Sequence, residues 1–111
     1  MKVEKLMNGE ELTLKVTGRI DTTNAKDFED VVTTSLDDVK SLIVDFAGLD
    51  YISSAGLRVL LIAIKKMKRQ GSMKVIHTNE MVQEIFEVTG FNDLSESLIN
   101  FTLNLSIRKE K

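Results

Sequence analysis

The sequence predicts a single α/β domain with a mostly parallel central sheet, an N-terminal antiparallel hairpin and helices packed on the sheet. Segments that alternate apolar and polar residues are followed by segments with apolar residues at three- and four-residue spacing. Such alternation of strands and helices is typical of parallel sheets, because each helix crosses over between two strands. The 111 residues contain no linker or repeat, so we expect one domain over residues 1–111, with an unassigned tail at 94–111.

An antiparallel hairpin is predicted at the N-terminus. Its strands span Lys2–Met7 and Glu11–Thr17, and apolar and polar residues alternate in the second strand. The dipeptide Asn8-Gly9 lies between them and favours the positive backbone angles of a tight turn. The short connection therefore predicts that the two strands pair directly with each other.

The first helix is predicted to follow a turn at residues 18–21 and to end near Asp38. Thr22 or Thr23 is expected to cap it, because a hydroxyl can accept a hydrogen bond from an unpaired N–H of the first turn. Its inner face is marked by apolar residues at helical spacing, namely Ala25, Phe28, Val32, Leu36 and Val39. We expect this helix to be the crossover to the next strand.

Two further strand–helix pairs are predicted. The apolar run Leu42–Phe46 is typical of a central strand covered on both faces, and a helix follows over about Ala55–Arg69. After the helix breaker Gly71, a strand is predicted at Met73–His77. A third helix, with Asn79 as its cap, is expected to extend to about Thr89.

The sequence of the C-terminal tail is compatible with either a strand or a helix. Apolar and polar side chains alternate over residues 99–107, which favours a strand. A helical stripe with Ser95 in position to cap it is also present, and its members are Leu94, Leu98, Phe101 and Leu105. Both structures stay open for this segment.

Composition excludes several classes of function. The formal net charge of −2 provides no long-range field to attract nucleic acid, and the absence of cysteine excludes disulfides and thiol chemistry. No apolar run approaches the roughly 20 residues of a membrane span, so we expect a cytoplasmic protein with no membrane or nucleic-acid partner. No nucleophile–base pair, metal cluster or glycine-rich phosphate loop is evident, so we do not expect a small-molecule enzyme.

Two hydroxyls lie where the second helix is predicted to begin. Ser53 or Ser54 can cap this helix, and Gly56 allows a close approach of its backbone. The positive end of the helix dipole favours an anion at this place. We therefore hypothesise that Ser54 is a phosphorylation switch at the start of a partner-binding helix, with Ser53 as the alternative acceptor. The simpler interpretation of either serine is a helix cap.

Three segments, in order along the chain, resemble the STAS-domain anti-sigma factor antagonists. They are Gly-Arg-Ile-Asp at 18–21, Ser-Ser-Ala-Gly-Leu at 53–57 and Ile-Phe-Glu-Val-Thr-Gly-Phe at 85–91. In that family an Asp-Ser-Ser/Thr-Gly-Leu sequence follows an apolar strand and opens a helix. Ser54 aligns with the family's phospho-accepting serine, whereas Ser53 stands where Asp is usual. Ala55 replaces the second hydroxyl, and Arg58 stands where Gly is common.

The resemblance implies a non-catalytic regulator of other proteins. Its unphosphorylated form would bind an anti-sigma factor that is itself a serine kinase, and phosphorylation of Ser54 would release that partner. A PP2C-type serine phosphatase would reset the switch. ATP and metal ions would belong to these partners, so the chain itself is expected to need no cofactor. STAS domains also serve other signalling and transporter assemblies, which is the alternative function.

Partner-binding residues are expected around the switch. Asp21 matches an acidic residue of the family, although its simpler interpretation is a turn or cap residue. Arg58, Lys65, Lys66 and Arg69 gather on the outer side of the second helix, with Ile62 among them. We expect Ile62 to be either an isolated exposed residue or an apolar anchor in a basic rim. The predicted interface comprises Asp21, Ser53, Ser54, Gly56, Arg58 and Ile62.

A receiver-like domain phosphorylated on aspartate is a less favoured function. Asp45 at the end of an apolar strand is the feature that favours it, while the opening hairpin and the absence of a clearly placed late lysine argue against it. Asp45 is otherwise expected to be a polar residue at a strand end, and Asp50 to form a turn. His77 is the only histidine and lies outside a Gly-x-Ser-x-Gly setting, so a Ser-His-Asp hydrolase is not expected.

Overall fold

The computed structural model describes residues 1–91 and 104–107, and this part of the chain forms a five-stranded sheet with three helices. The elements are β1 (Lys2–Asn8), β2 (Glu11–Ile20), α1 (Ala25–Ser35), β3 (Ser41–Ile52), α2 (Ser54–Lys68), β4 (Ser72–Thr78), α3 (Glu80–Val88) and β5 (Asn104–Ile107). The strands lie side by side in the order of their numbers. β1 pairs with β2 in antiparallel orientation, and the other neighbours are parallel. The predicted fold class is confirmed.

The N-terminal hairpin is tight and differs from the prediction by one residue. Asn8 is paired with Glu11, so the two turn residues are Gly9 and Glu10. Gly9 has a φ of 63°, a left-handed conformation that glycine adopts without a steric penalty. The turn thus depends on Gly9 as predicted, while Asn8 belongs to the strand.

The predicted turn at residues 18–21 is wrong for residues 18–20, which continue β2. Arg19 and Ile20 are in register with Tyr51 and Ile52 of β3, after an irregularity next to Gly18, whose φ is 89°. Pairing with a distant strand therefore overrides the local preference for a turn.

The start and end of α1 also differ from the prediction. α1 begins at Ala25 after the flanking residue Asn24, and it ends at Ser35 rather than near Asp38. Within residues 1–91, neither Thr22 nor Thr23 nor any other side chain makes a capping hydrogen bond to α1. Asp38 has a positive φ of 63°, which is incompatible with a continuing helix.

The central strand β3 is longer than predicted, because it continues from Phe46 to Ile52. Asp45 and Asp50 therefore lie within the strand, and the expectation that they end it and form a turn is wrong. Both occupy positions that the helices leave partly or fully exposed, and a charged side chain is tolerated there. Five side chains on the opposite face of β3 are completely buried, namely Leu42, Val44, Phe46, Leu49 and Ile52.

All three helices pack on the same face of the sheet. Apolar residues of α1, α2 and α3 join the inward residues of β2, β3 and β4 in one core. The residues between them along the strands are partly or fully exposed. In the described part of the chain the second face of the sheet carries no helix, so the expectation that the central strand is covered on both faces is wrong.

The remaining elements follow the predictions closely. α2 and β4 each lie within one residue of the predicted bounds. The side-chain oxygen of Asn79 accepts a hydrogen bond from the N–H of Val82 at 2.8 Å, which confirms the predicted cap of α3. Residues 104–107 form a strand, which confirms that alternative for this short piece and contradicts a helix through Leu105. The other predictions for the tail lie outside the described residues.

Candidate functional site

The carboxyl ends of β2 and β3 bring together two of the predicted segments. The N–H of Ser53 donates a hydrogen bond to the carbonyl oxygen of Ile20 at 2.8 Å, across the ends of these neighbouring strands. Asp21 directly follows one end, and Ser54 follows the other. In parallel sheets the loops at this edge commonly form binding sites. The structure therefore places Asp21, Ser53 and Ser54 in one region.

The two adjacent serines have different environments. Ser53 is 8% exposed, and its hydroxyl oxygen accepts a hydrogen bond from the N–H of Gly56 at 3.3 Å. Its backbone is extended, as is usual for the residue that precedes a helix. Ser54 is the first residue of α2 and is exposed. The capping role thus belongs to Ser53, and the neighbouring hydroxyl lies at the surface.

Gly56 allows the first turn of α2 to pack directly on the ends of the two strands. A Cβ atom at this position would lie 2.7 Å from Ile20 Cγ2 and 2.7 Å from Ile52 Cγ1. Both isoleucines are completely buried. The glycine that was singled out for close backbone approach therefore fixes the position of Ser53 and Ser54 relative to the sheet.

Asp21 is held by its own loop. Both the N–H and the hydroxyl of Thr23 donate to Asp21 Oδ1, at 2.9 and 2.5 Å, and Arg19 Nε lies 3.6 Å from Oδ2. The hydrogen bond from the Thr23 hydroxyl, together with that from the Thr23 N–H, lowers the pKa of Asp21. The carboxylate is consequently ionised at neutral pH, with Oδ2 turned to the exposed Arg19.

Asn24 closes the same loop. Its side-chain oxygen accepts from the N–H of Asp21 at 2.9 Å, and its side-chain nitrogen donates to the carbonyl oxygen of Arg19 at 3.0 Å. The Arg19 guanidinium also lies 4.9 Å from the ring centroid of Tyr51. Sequence reasoning missed these roles, because it considered Asp21, Thr22 and Thr23 as turn or cap residues and did not consider Asn24.

A groove connects Ser54 with the residues that follow α3. Its volume is about 210 Å³, and it is lined by Ser54, Leu57, Arg58, Leu61, Thr89 and Phe91. Ser54 and Arg58 are four residues apart on α2, so their side chains lie on the same side of the helix. Thr89 and Phe91 were not predicted as site residues, although both belong to the segment at 85–91 that carries the family resemblance.

The outer side of α2 is basic, as predicted, with one correction. Arg58, Lys65 and Arg69 are exposed, and Ile62 is partly buried among them. Lys66 instead turns toward α1: its Nζ donates to the carbonyl oxygen of Thr33 at 3.3 Å and lies 3.8 Å from a carboxylate oxygen of Asp37. The prediction that Lys66 belongs to the solvated outer face is therefore wrong.

The other candidate chemistries lie apart from this site. Asp45 is inside β3, where its Oδ1 is 2.9 Å from His77 Nδ1 and accepts from the N–H of Ala47 at 2.9 Å. Asp45 is thus engaged within the sheet rather than placed at a strand end. Among the described residues there is no group of side chains that could hold a metal ion, and no helix is long and apolar enough to cross a membrane.

The chain is similar in sequence to a known domain family and to a named bacterial protein. The family model described as the STAS domain matches residues 2–107. BtrV of Bordetella bronchiseptica, which is named as an anti-sigma factor antagonist, is 36% identical over 76 residues. These residues are 67% of this chain and 66% of BtrV, so the match spans slightly less than two thirds of that protein.

Two solved structures with the same fold are also named as anti-sigma factor antagonists. One, from Mycobacterium paratuberculosis, is 16% identical with a TM-score of 0.75, over 90% of this chain and 94% of that one. The other is SpoIIAA in its unphosphorylated form, which is 17% identical with a TM-score of 0.73, over 83% of this chain and 84% of SpoIIAA. The phosphorylated form of SpoIIAA, from Bacillus, is 16% identical with a TM-score of 0.66, over 83% and 86% of the two chains.

Proposed function

The chain belongs to the STAS-domain family, and we propose that it is an anti-sigma factor antagonist whose binding is controlled by phosphorylation of Ser54. The unphosphorylated form binds, in the cytoplasm, an anti-sigma factor that is a serine kinase. That kinase phosphorylates Ser54 and thereby leaves the complex, and a PP2C-type serine phosphatase restores the binding form. The names of BtrV and SpoIIAA support the first part of this proposal.

The main observation in favour of the switch is the contrast between Ser53 and Ser54. A protein kinase needs a hydroxyl that it can reach, and Ser54 is exposed while Ser53 is 8% exposed. Ser53 also caps α2 from a nearly buried position, so a phosphate on its oxygen would have to displace the residues packed around this cap. Modification of Ser54 leaves that cap intact.

Phosphorylation at this position is expected to change binding without unfolding the domain. A phosphate adds about −1.5 to −2 charges, and the first turn of a helix stabilises a negative charge by roughly 0.3–1 kcal/mol. A partner that covers Ser54 must instead desolvate this charge, which costs several kcal/mol without a matching cation. Because shifting a complex from 99:1 to 1:99 takes about 5.5 kcal/mol, desolvation and repulsion are large enough to separate the partners.

The remaining predicted residues surround Ser54 in ways that fit an interface. Asp21 offers a partly exposed carboxylate oxygen to a cation of the partner, and Gly56 keeps the first turn of α2 close to the sheet. Arg58 and Ile62 lie farther along the outer side of α2, where Lys65 and Arg69 add positive charge. We therefore propose that an acidic surface with an apolar centre covers this side of α2.

Phosphorylation and binding can be tested with a purified candidate kinase, an anti-sigma factor with serine kinase activity from the same organism. Incubation with ATP and mass spectrometry should locate one phosphate on Ser54, and hydroxylamine should leave it in place because it is not an acyl phosphate. Ser54→Ala should abolish phosphorylation and retain binding, whereas Ser54→Asp should weaken binding. Ser53→Ala is the matched control and should still be phosphorylated. Absence of both the phosphate and the complex would refute the proposal.

A further inference from the structure

An exposed apolar stripe on α3 adjoins the Ser54 groove. Met81 is 54% exposed and Val88 is 78% exposed, and together with the partly buried Ile85 they form one side of the helix, which we name the α3 stripe. The stripe, with Glu84 and Thr89, lines a groove of about 220 Å³. Thr89 also lines the groove at Ser54, so the two grooves adjoin at this residue.

Packing of the domain explains only part of the α3 stripe, because Ile85 packs against the core whereas Met81 and Val88 are exposed. α3 already buries Val82 and Phe86 in the core, and the ring of Phe86 lies 4.8 Å from that of Phe91. Single exposed apolar residues are common on soluble proteins, whereas several on one helix beside a groove are typical of a surface that binds another protein. α3 therefore has a second apolar side in addition to the one that the core requires.

The charges on the two sides of this surface have opposite signs. Three exposed glutamates, Glu80, Glu84 and Glu87, follow the edge of the α3 stripe that is turned away from Thr89. Across the Ser54 groove, on the other side, lies the exposed Arg58 of α2. The surface thus has an acidic edge on α3, an apolar centre and a basic edge on α2.

We propose that the partner controlled by Ser54 places an amphipathic helix along this surface. Its apolar residues lie against the α3 stripe, its Lys or Arg residues face the glutamates, and its Asp or Glu residues face Arg58. A helix fits better than an added strand, because the surface offers side chains while the backbone of α3 is hydrogen-bonded within the helix. The α3 stripe is about 10 Å long, which two turns of a partner helix cover. This inference rests on the proposed function, since it extends the binding surface of the same partner.

Two substitutions test the apolar contact with the purified kinase used above. Met81→Glu and Val88→Lys each place a charge in the α3 stripe. The negative charge lies near the N-terminus of α3 and the positive charge near its C-terminus, and the helix dipole favours both. Circular dichroism should therefore show unchanged helix content. We expect each to weaken binding at least tenfold in isothermal titration calorimetry. Glu84→Lys should weaken binding severalfold, because it reverses one charge of the acidic edge.

Glu10→Lys is the matched control for the charge change. Glu10 lies in the hairpin turn at the opposite end of β2 from Ser54, and it is also exposed. The affinity of the Glu10→Lys variant for the kinase should stay within twofold of that of the wild type. In hydrogen exchange, the amides of residues 84–89 should gain protection when the kinase binds the wild-type protein.

The outcomes separate this inference from the proposed function. If the wild-type protein neither binds the kinase nor is phosphorylated, the proposed function fails. If it binds and is phosphorylated while the three α3 variants keep wild-type affinity, the helix-binding surface is refuted and the switch remains. If the protein alone forms a dimer that Val88→Lys dissociates, and kinase affinity is unchanged, a second copy covers the stripe and the inference is overturned.

Discussion

The two strand-to-helix connections at the carboxyl edge of the sheet satisfy their polar groups differently. Between β2 and α1, Asp21, Thr23 and Asn24 hydrogen-bond to one another and to Arg19, and within residues 1–91 no side chain caps α1. Between β3 and α2 there is a single residue, Ser53, and it caps the helix. The first loop uses its polar groups internally, whereas the second leaves the next hydroxyl at the surface. The two connections therefore differ in how far their polar groups are already engaged by the domain itself.

The largest expected effect comes from the close packing that the shorter connection requires. Gly56→Ala adds a methyl group 2.7 Å from two buried isoleucine side chains. Although alanine is favoured over glycine in helices by about 1 kcal/mol, overpacking of a rigid core costs about 1–3 kcal/mol. We expect a net loss of up to about 2 kcal/mol in the free energy of unfolding, measured with urea. A stabilised variant would show that the first turn of α2 has room to move away from the sheet.

A smaller effect is expected from the cap itself. Ser53→Ala removes the acceptor for the N–H of Gly56 and should lower the free energy of unfolding by about 1 kcal/mol. Ser54→Ala changes an exposed residue that is not the cap and should stay within about 0.5 kcal/mol of the wild type. Equal losses for the two variants would contradict the division of roles between the serines.

The difference between local signals and pairing with distant residues explains how far the sequence predicts this fold. Most signals that act over a few residues were reliable: the apolar stripes of the helices, the glycine of the hairpin turn and the cap at Asn79 are all present. The cap at Thr22 or Thr23 and the end of α1 near Asp38 are local predictions that failed. The other errors arose where distant pairing decides the structure. Gly18–Ile20 pair with the end of β3, and this pairing extends the two strands as far as Ile20 and Ile52. Both segments contain turn-forming residues, which is why the sequence predicted turns there.

For the candidate site, the sequence predicted the residues at the start of α2 but not the contacts that depend on the rest of the fold. The environment of Ser53, Ser54 and Gly56 depends on one helix start, and the sequence located that helix start within one residue. The two cap candidates, however, could be distinguished only from the depth at which each serine lies. The groove at Ser54 also involves Thr89, which is distant in sequence and lies there because the fold brings the end of α3 next to the start of α2.

A negative charge on Ser54 is expected to have a modest stabilising effect on the free domain. Ser54→Asp places a carboxylate in the first turn of α2, where the helix dipole contributes about 0.3–1 kcal/mol. Arg58, one turn later, adds about 0.3–0.5 kcal/mol as an ion pair. The double mutant with Arg58→Ala should lose only this second part, as a double-mutant cycle of urea unfolding would measure. A destabilised Ser54→Asp variant would show that the fold itself, rather than binding, responds to the charge.

The smallest effect concerns the longer connection and the proton of Asp21. The Thr23 hydroxyl is the main cause of the lowered pKa, so Thr23→Val should raise the pKa of Asp21 toward its ordinary value of 3.8. A pKa that is lower in the folded than in the unfolded state stabilises the protein above the unfolded value. This contribution is lost as the pH falls through the folded pKa.

At neutral pH, the free energy of unfolding should therefore be lower for Thr23→Val than for the wild type. This difference should shrink as the pH falls through the pKa of Asp21 in the folded protein. An NMR titration of the Asp21 carboxyl measures the pKa directly, and Ser54→Ala is the control that should leave it unchanged. If Asp21 titrates at or above 3.8 in the wild type, the loop does not hold its carboxylate as the hydrogen bonds from Thr23 indicate. The two connections would then differ in length and in the cap at Ser53, but not in how strongly they hold a charged side chain.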